Sequence, residues 1–116
     1  MTDKIVVLTT CQPDDAERIA RHLVENRVAA CVNIVENARS IYRWQGEVAA
    51  DRESLLVIKS RRDLFAALET ELRKVHNYEV PELIALPVVE GAAAYLAWLD
   101  ESIEPGSQPR SSLARS

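Results

Sequence analysis

The chain has 116 residues, with 14 Lys plus Arg against 18 Asp plus Glu, a formal net charge of -4 and 47% hydrophobic residues. That size suits one domain able to bury roughly two-thirds of its unfolded surface, and the composition excludes collagenous and disordered classes. Lys and Arg are interleaved with acids throughout, so a nucleic-acid partner is not expected, and no apolar run is long enough to span a bilayer.

Met1-Thr2-Asp3-Lys4 enters a strand-like run directly, without the basic and apolar regions of a secretory signal, so a cytoplasmic location is expected. In that compartment Cys11 and Cys31 are expected as free thiols. Residues 5–10 are mostly β-branched and predict the first strand. Pro13 with Asp14 and Asp15 then predicts a helix start. Ala16, Ile19, Ala20 and Leu23 recur at helical spacing opposite Glu17, Arg18, Arg21 and Glu25, and Asn26 makes a suitable stop. His22 falls outside the apolar stripe and reads as a boundary residue rather than a ligand.

Residues 29–35 and 40–44 predict one long or bent strand, with residues 36–38 as a bulge or break. Gln45-Gly46-Glu47 turns the chain back through residues 48–60, where Leu55-Leu56-Val57-Ile58 is apolar on both faces and suits a central strand. Cys31, inside the earlier strand, is expected as a buried small hydrophobe. Ser60-Arg61-Arg62-Asp63 resembles a capping box with Asp in place of the usual Glu. Leu64, Leu68, Leu72 and Val75 give the second helix its buried stripe, which ends near His76.

Residues 82–89 predict a fourth strand, with Pro81 at its start and Pro87 on an edge or bulge. Gly91 opens a third helix carrying Leu96, Leu99 and Ile103. Past Glu104 the Pro, Gly and Ser content predicts a disordered tail over 105–116, leaving residues 1–104 as a single domain. The order of elements implies an α+β chain, a ferredoxin-like split βαβ sandwich with an added C-terminal helix. Because several strands are apolar on both faces, the face without helices needs a cover, and a homo-oligomer with packed sheets supplies one.

The connection His76-Asn77-Tyr78-Glu79-Val80-Pro81-Glu82 crowds an imidazole, a phenol and carboxylates where a plain loop carries Gly or Ser. With Tyr42-Arg43-Trp44-Gln45-Gly46 upstream and Cys11 at a strand end, it forms the candidate site. The segments TTCQPDDAERIA, AACVNI, SIYRWQGE, LLVIK, HNYEVPELIALPV and YLAWL, in this order, resemble the divalent-ion-tolerance CutA family from Ile5 to about Ser102. The resemblance implies a ferredoxin-like protomer, a tight homotrimer with strands joined across subunits, and an association with tolerance of copper and other divalent metals. It implies no catalytic reaction. Members carry a His-Pro-Tyr signature after the second helix, and here Asn77 replaces the proline, which removes a backbone restraint beside His76.

Thiolate and imidazole suit copper and a carboxylate can complete the coordination of a divalent ion, so Cys11, His76 and Glu79 are the candidate metal ligands, although no local ligand spacing joins them. No organic cofactor is expected. A second reading is a trimeric small-molecule sensor like the PII signal transducers, with Tyr42, Trp44, Glu53, Lys59, Tyr78 and Glu82 lining a cleft between subunits. Against it, aromatic residues such as Tyr42 and Trp44 are commonly interface anchors, and the three glycines form no phosphate-binding loop. Hydrolysis of the acylphosphatase kind would need a phosphate cradle with an arginine, and residues 9–13 contain neither glycine nor arginine. The chain is not expected to be an enzyme.

Overall fold

The computed structural model describes residues 1–103, so the expected tail over 105–116 lies outside the described residues. The elements follow the anticipated order: β1 (Lys4–Cys11), α1 (Ala16–Glu25), β2 (Cys31–Trp44), β3 (Glu47–Arg61), α2 (Phe65–Val75), β4 (Ile84–Pro87) and α3 (Ala93–Ser102). They build one four-stranded sheet in the order β2-β3-β1-β4, with every neighbouring pair antiparallel. Consecutive βαβ halves interleave in this way when each helix crosses the same sheet face, which is the split βαβ plan.

Strand alternation decides which side chains meet the helices. Ile5, Val7, Thr9 and Cys11 of β1 sit opposite Ser60, Ile58, Leu56 and Ser54 of β3, and all eight are buried. Ile19 and Leu23 of α1 and Leu68 and Leu72 of α2 close over them as the main core. Each fully buried aliphatic side chain there contributes roughly 1.5–3 kcal/mol. The helices are also joined at their polar edge, where His22 Nε2 lies 2.8 Å from Glu71. His22 is thus a half-buried bridge between helices. A smaller cluster of Ala30, Leu64, Leu99 and Ile103 seats α3, and Asp100 adds ion pairs to Lys4 and Arg61, both at 3.1 Å.

The opposite alternation leaves Val6, Leu8, Leu55 and Val57 half-buried and Val35, Ile84 and Leu86 exposed on the helix-free face. That face is as apolar as the sequence pattern implied. No helix among the described residues is long and apolar enough to cross a membrane.

Turns follow local chemistry. Asn26 caps α1 with its side-chain amide on the His22 carbonyl at 2.8 Å. Arg27 then adopts φ 59° while Val28 N–H reaches back to the Leu23 carbonyl and Arg27 N–H to the Val24 carbonyl. This is a Schellman closure with arginine where glycine is usual. β2 runs through the expected irregularity, with a register shift between Val35 and Ala38 and Asn37 at φ 65°. Gln45 and Gly46 both take positive φ, 52° and 83°, the two-residue type I′ geometry whose twist matches a hairpin.

Three local expectations are corrected. Ser60 does not cap α2; its hydroxyl donates to the Val28 carbonyl at 2.7 Å and Asp63 instead accepts from Arg61 at 2.7 Å. That bond to the loop before β2 holds the serine hydroxyl away from the helix. The fourth strand is shorter than expected, Ile84–Pro87, with Val88 still bonded through its backbone to Thr2 and Lys4; it starts late because Leu83 turns into the core and the Glu82 carbonyl accepts the Thr9 hydroxyl at 2.5 Å instead of a ladder bond. Cys31 is half-buried rather than buried, since its strand parity puts it with Asn33 and Val35 on the helix-free face.

Candidate functional site

The connection after α2 is held by side chains rather than by backbone ladders. α2 ends when His76 leaves helical geometry, ψ 139°, its N–H still bonded to the Leu72 carbonyl at 2.9 Å. His76 Nε2 lies 2.8 Å from the Thr10 carbonyl at the end of β1. A carbonyl only accepts, so Nε2 carries the proton and Nδ1 keeps the lone pair, and Nδ1 accepts the Tyr78 N–H at 3.1 Å. Both ring nitrogens are therefore in use. Asn77 donates to Asp15 at 2.8 Å, tying the connection to the turn before α1.

Tyr78 meets the His76 ring edge-on, with centroids 4.7 Å apart, and its hydroxyl donates to Glu53 Oε2 at 2.6 Å. Burial, with the Glu53 carboxylate beside it, pushes the Tyr78 phenol well above its ordinary range, so it is a permanent donor at neutral pH. Glu53 itself is 5% exposed. It sits on β3 opposite Ala38, on the strand face that also carries Leu55 and Val57.

Between the connection and the β2–β3 hairpin lies a cleft of about 640 Å³. Five residues singled out from sequence, Tyr42, Trp44, Glu53, Tyr78 and Glu82, line it together, and Glu79 joins them. Lys59 does not. It pairs with Cys31 and Val6 in the middle of the sheet, and its ammonium hydrogen-bonds the Asn33 side chain. At 3.4 Å per residue, its distance along β3 from Glu53 is about 20 Å, too far for one site. Among the lining residues outside the candidate set are the charged Asp51 and Arg52. Asp51 was legible, because it stands two positions before Glu53 and so shares its strand face. It accepts a hydrogen bond from the Tyr42 hydroxyl, and that bond raises the Tyr42 phenol above its ordinary range.

Cys11 is placed differently from the other candidate ligands. It closes β1 with 1% exposure and faces the helix-side core. Burial, with the Asp15 and Glu53 charges nearby, lifts its thiol from 9.0 up to about 11, so it is protonated at neutral pH. Glu79 is exposed on the cleft. Among the described residues no three His, Cys, Asp or Glu side chains come close enough to hold a metal ion. Within one chain Cys11, His76 and Glu79 therefore do not fit a metal centre: the thiol is protonated and enclosed, and the imidazole has no free lone pair.

The sheet order and the one-sided helices define a ferredoxin-like α+β protein. The CutA1 divalent ion tolerance protein family matches residues 5–102, and the chain belongs to that family. The divalent-cation tolerance protein CutA of Thermus thermophilus is 47% identical over 100 residues, 86% of this chain and 97% of that one. The solved structure of the Thermus thermophilus protein superposes with a TM-score of 0.84, at 48% identity, covering 87% of this chain and 99% of that one. The chloroplastic protein CutA of Arabidopsis thaliana is 41% identical over 84% of this chain but only 54% of its own length. The chain thus spans about half the length of the plant relative and nearly all of the bacterial one. A periplasmic divalent cation tolerance protein CutA from Archaeoglobus fulgidus shares the fold at 34% identity, with a TM-score of 0.83, covering 87% of this chain and 99% of that one.

Proposed function

We propose that this chain is a non-enzymatic, cytoplasmic homotrimer that acts in tolerance of divalent cations, copper among them. Family membership supports the cation link. The apolar helix-free face, with Val35, Ile84 and Leu86 exposed, supports the assembly, because such a patch on a small domain needs a partner surface. A single chain does not bring three donors together among the described residues, so a coordination shell for copper has to be completed across subunits. Of the three candidate ligands, Glu79 is the one whose carboxylate faces solvent in the cleft.

The test is copper titration of the assembled protein. Cys11→Ser and His76→Ala are expected to bind copper like the wild type, and Glu79→Gln to bind it more weakly. Loss of affinity in the first two variants instead would identify Cys11 and His76 as the metal site. The cleft itself favours a second reading, a trimer that senses a small molecule, since a volume of about 640 Å³ walled by Tyr42, Trp44 and Tyr78 is in the range of ligand pockets.

A further inference from the structure

Glu53 is the group the fold leaves unbalanced. Its carboxylate is 5% exposed and receives one neutral donor, the Tyr78 phenol, on Oε2. Among the described residues no Lys, Arg or His forms an ion pair with it, and Oε1 makes no hydrogen bond to them but stays open to the solvent of the cleft. Removing a carboxylate from water is costly unless a counter-charge is supplied. Arg52 also borders the cleft, but its guanidinium is turned toward Asn37 at 3.5 Å and pairs with neither Asp51 nor Glu53. A cation that enters the cleft can supply that counter-charge.

The form of that cation follows from the spacing of the acids. Asp51 and Glu53 are two residues apart on one face of β3, about 7 Å along the strand. Each has one oxygen fixed by a phenol, Tyr42 for Asp51 and Tyr78 for Glu53. Tyr42 and Trp44 share that face of the hairpin and are 40% and 46% exposed, so their rings are open to a ligand. A bare metal ion is poorly served, because it needs several converging oxygens and no three acidic or imidazole groups converge among the described residues. An alkyl chain with an ammonium at each end is well served. Each ammonium takes one carboxylate, and the methylenes and cationic heads lie on aromatic faces.

We propose that the cleft binds a linear aliphatic polyammonium ion, with Glu53 and Asp51 as the two anionic anchors and Tyr42 and Trp44 as the wall. This deepens the small-molecule reading of the same cleft and rests on it.

The experiment is calorimetric titration of the full-length assembled protein at low salt with putrescine, cadaverine and spermidine. Butylamine serves as the single-charge control and magnesium as the metal control. Saturable binding at one ligand per chain is expected, with butylamine at least tenfold weaker. Glu53→Gln and Asp51→Asn should each weaken binding at least tenfold, although an amide oxygen still accepts the phenol's bond. Asp51 is exposed, so its variant carries the test should Glu53→Gln fail to fold. Absence of saturable heat at millimolar diamine overturns the proposal, as do wild-type affinity in Asp51→Asn and displacement of the amine by equimolar magnesium. Sedimentation and copper titration on the same samples read the assembly and the metal link separately. An intact trimer that binds copper but no diamine therefore removes this inference and leaves the cation-tolerance reading standing.

Discussion

His76 shows how one side chain can be committed before any ligand arrives. Its ring donates to the Thr10 carbonyl and accepts from the Tyr78 N–H, so it staples the end of β1 to the connection that borders the cleft. His76→Ala leaves two part-buried backbone groups without partners and is expected to cost about 1–3 kcal/mol. Urea unfolding at matched protein concentration measures that loss, and amide exchange should quicken at Tyr78. Unchanged stability would show that the staple is dispensable. Cys11 gives a pH signature. Its folded value of about 11 lies above the unfolded value of 9.0, so the unfolded chain releases this proton first. The stabilisation is complete below pH 9 and is lost as pH rises through 11, an effect of roughly 3 kcal/mol. Stability profiles of wild type and Cys11→Ala should therefore converge across that alkaline window. Parallel profiles would contradict the buried, protonated thiol.

At the scale of elements, the β2–β3 hairpin carries the cleft's aromatic wall and both anchoring acids, so its register governs the site. The turn is type I′ with Gln45 at φ 52°, a conformation that Asn adopts with less strain. Gln45→Asn is expected to raise stability by about 0.5 kcal/mol without moving Tyr42 or Trp44, measurable as an upward shift in melting temperature. A fall would mean that the Gln45 side chain makes contacts in the assembly. The hairpin was readable because turn residues and strand runs are local signals. β4 was expected to be longer than it is because the determinants of its ends are distant: Thr9, 73 residues from Glu82, takes the carbonyl that would have continued the ladder.

At the scale of the molecule, the helix-free face decides the behaviour in solution. Leu86 is 48% exposed on β4, outside the helix-side core, so Leu86→Asp should leave the protomer folded. In the proposed trimer it places a charge in a sheet-to-sheet contact, where an unpaired buried charge is strongly unfavourable. Sedimentation should show the wild type as a trimer at micromolar concentration, and Leu86→Asp as a smaller species with a lower melting temperature. A monomeric wild type would end the trimer reading and require another cover for that face.

The amino-acid order by itself determined the element sequence, the α+β plan and the two-sided apolarity of the strands, because periodicity, turn residues and caps act over a few positions. It also brought Tyr42, Trp44, Glu53, Tyr78 and Glu82 into consideration as one group, since their residue types already suit a binding wall. Only the tertiary structure decided which chemistry those groups keep. Strand parity turned Cys11 into the core and Cys31 toward the open face, register carried Lys59 away from the cleft, and the Thr10 carbonyl and Tyr78 N–H took both nitrogens of His76. These outcomes depend on which face of each strand meets the helices and on partners many residues away, and neither is fixed by a local pattern in the sequence.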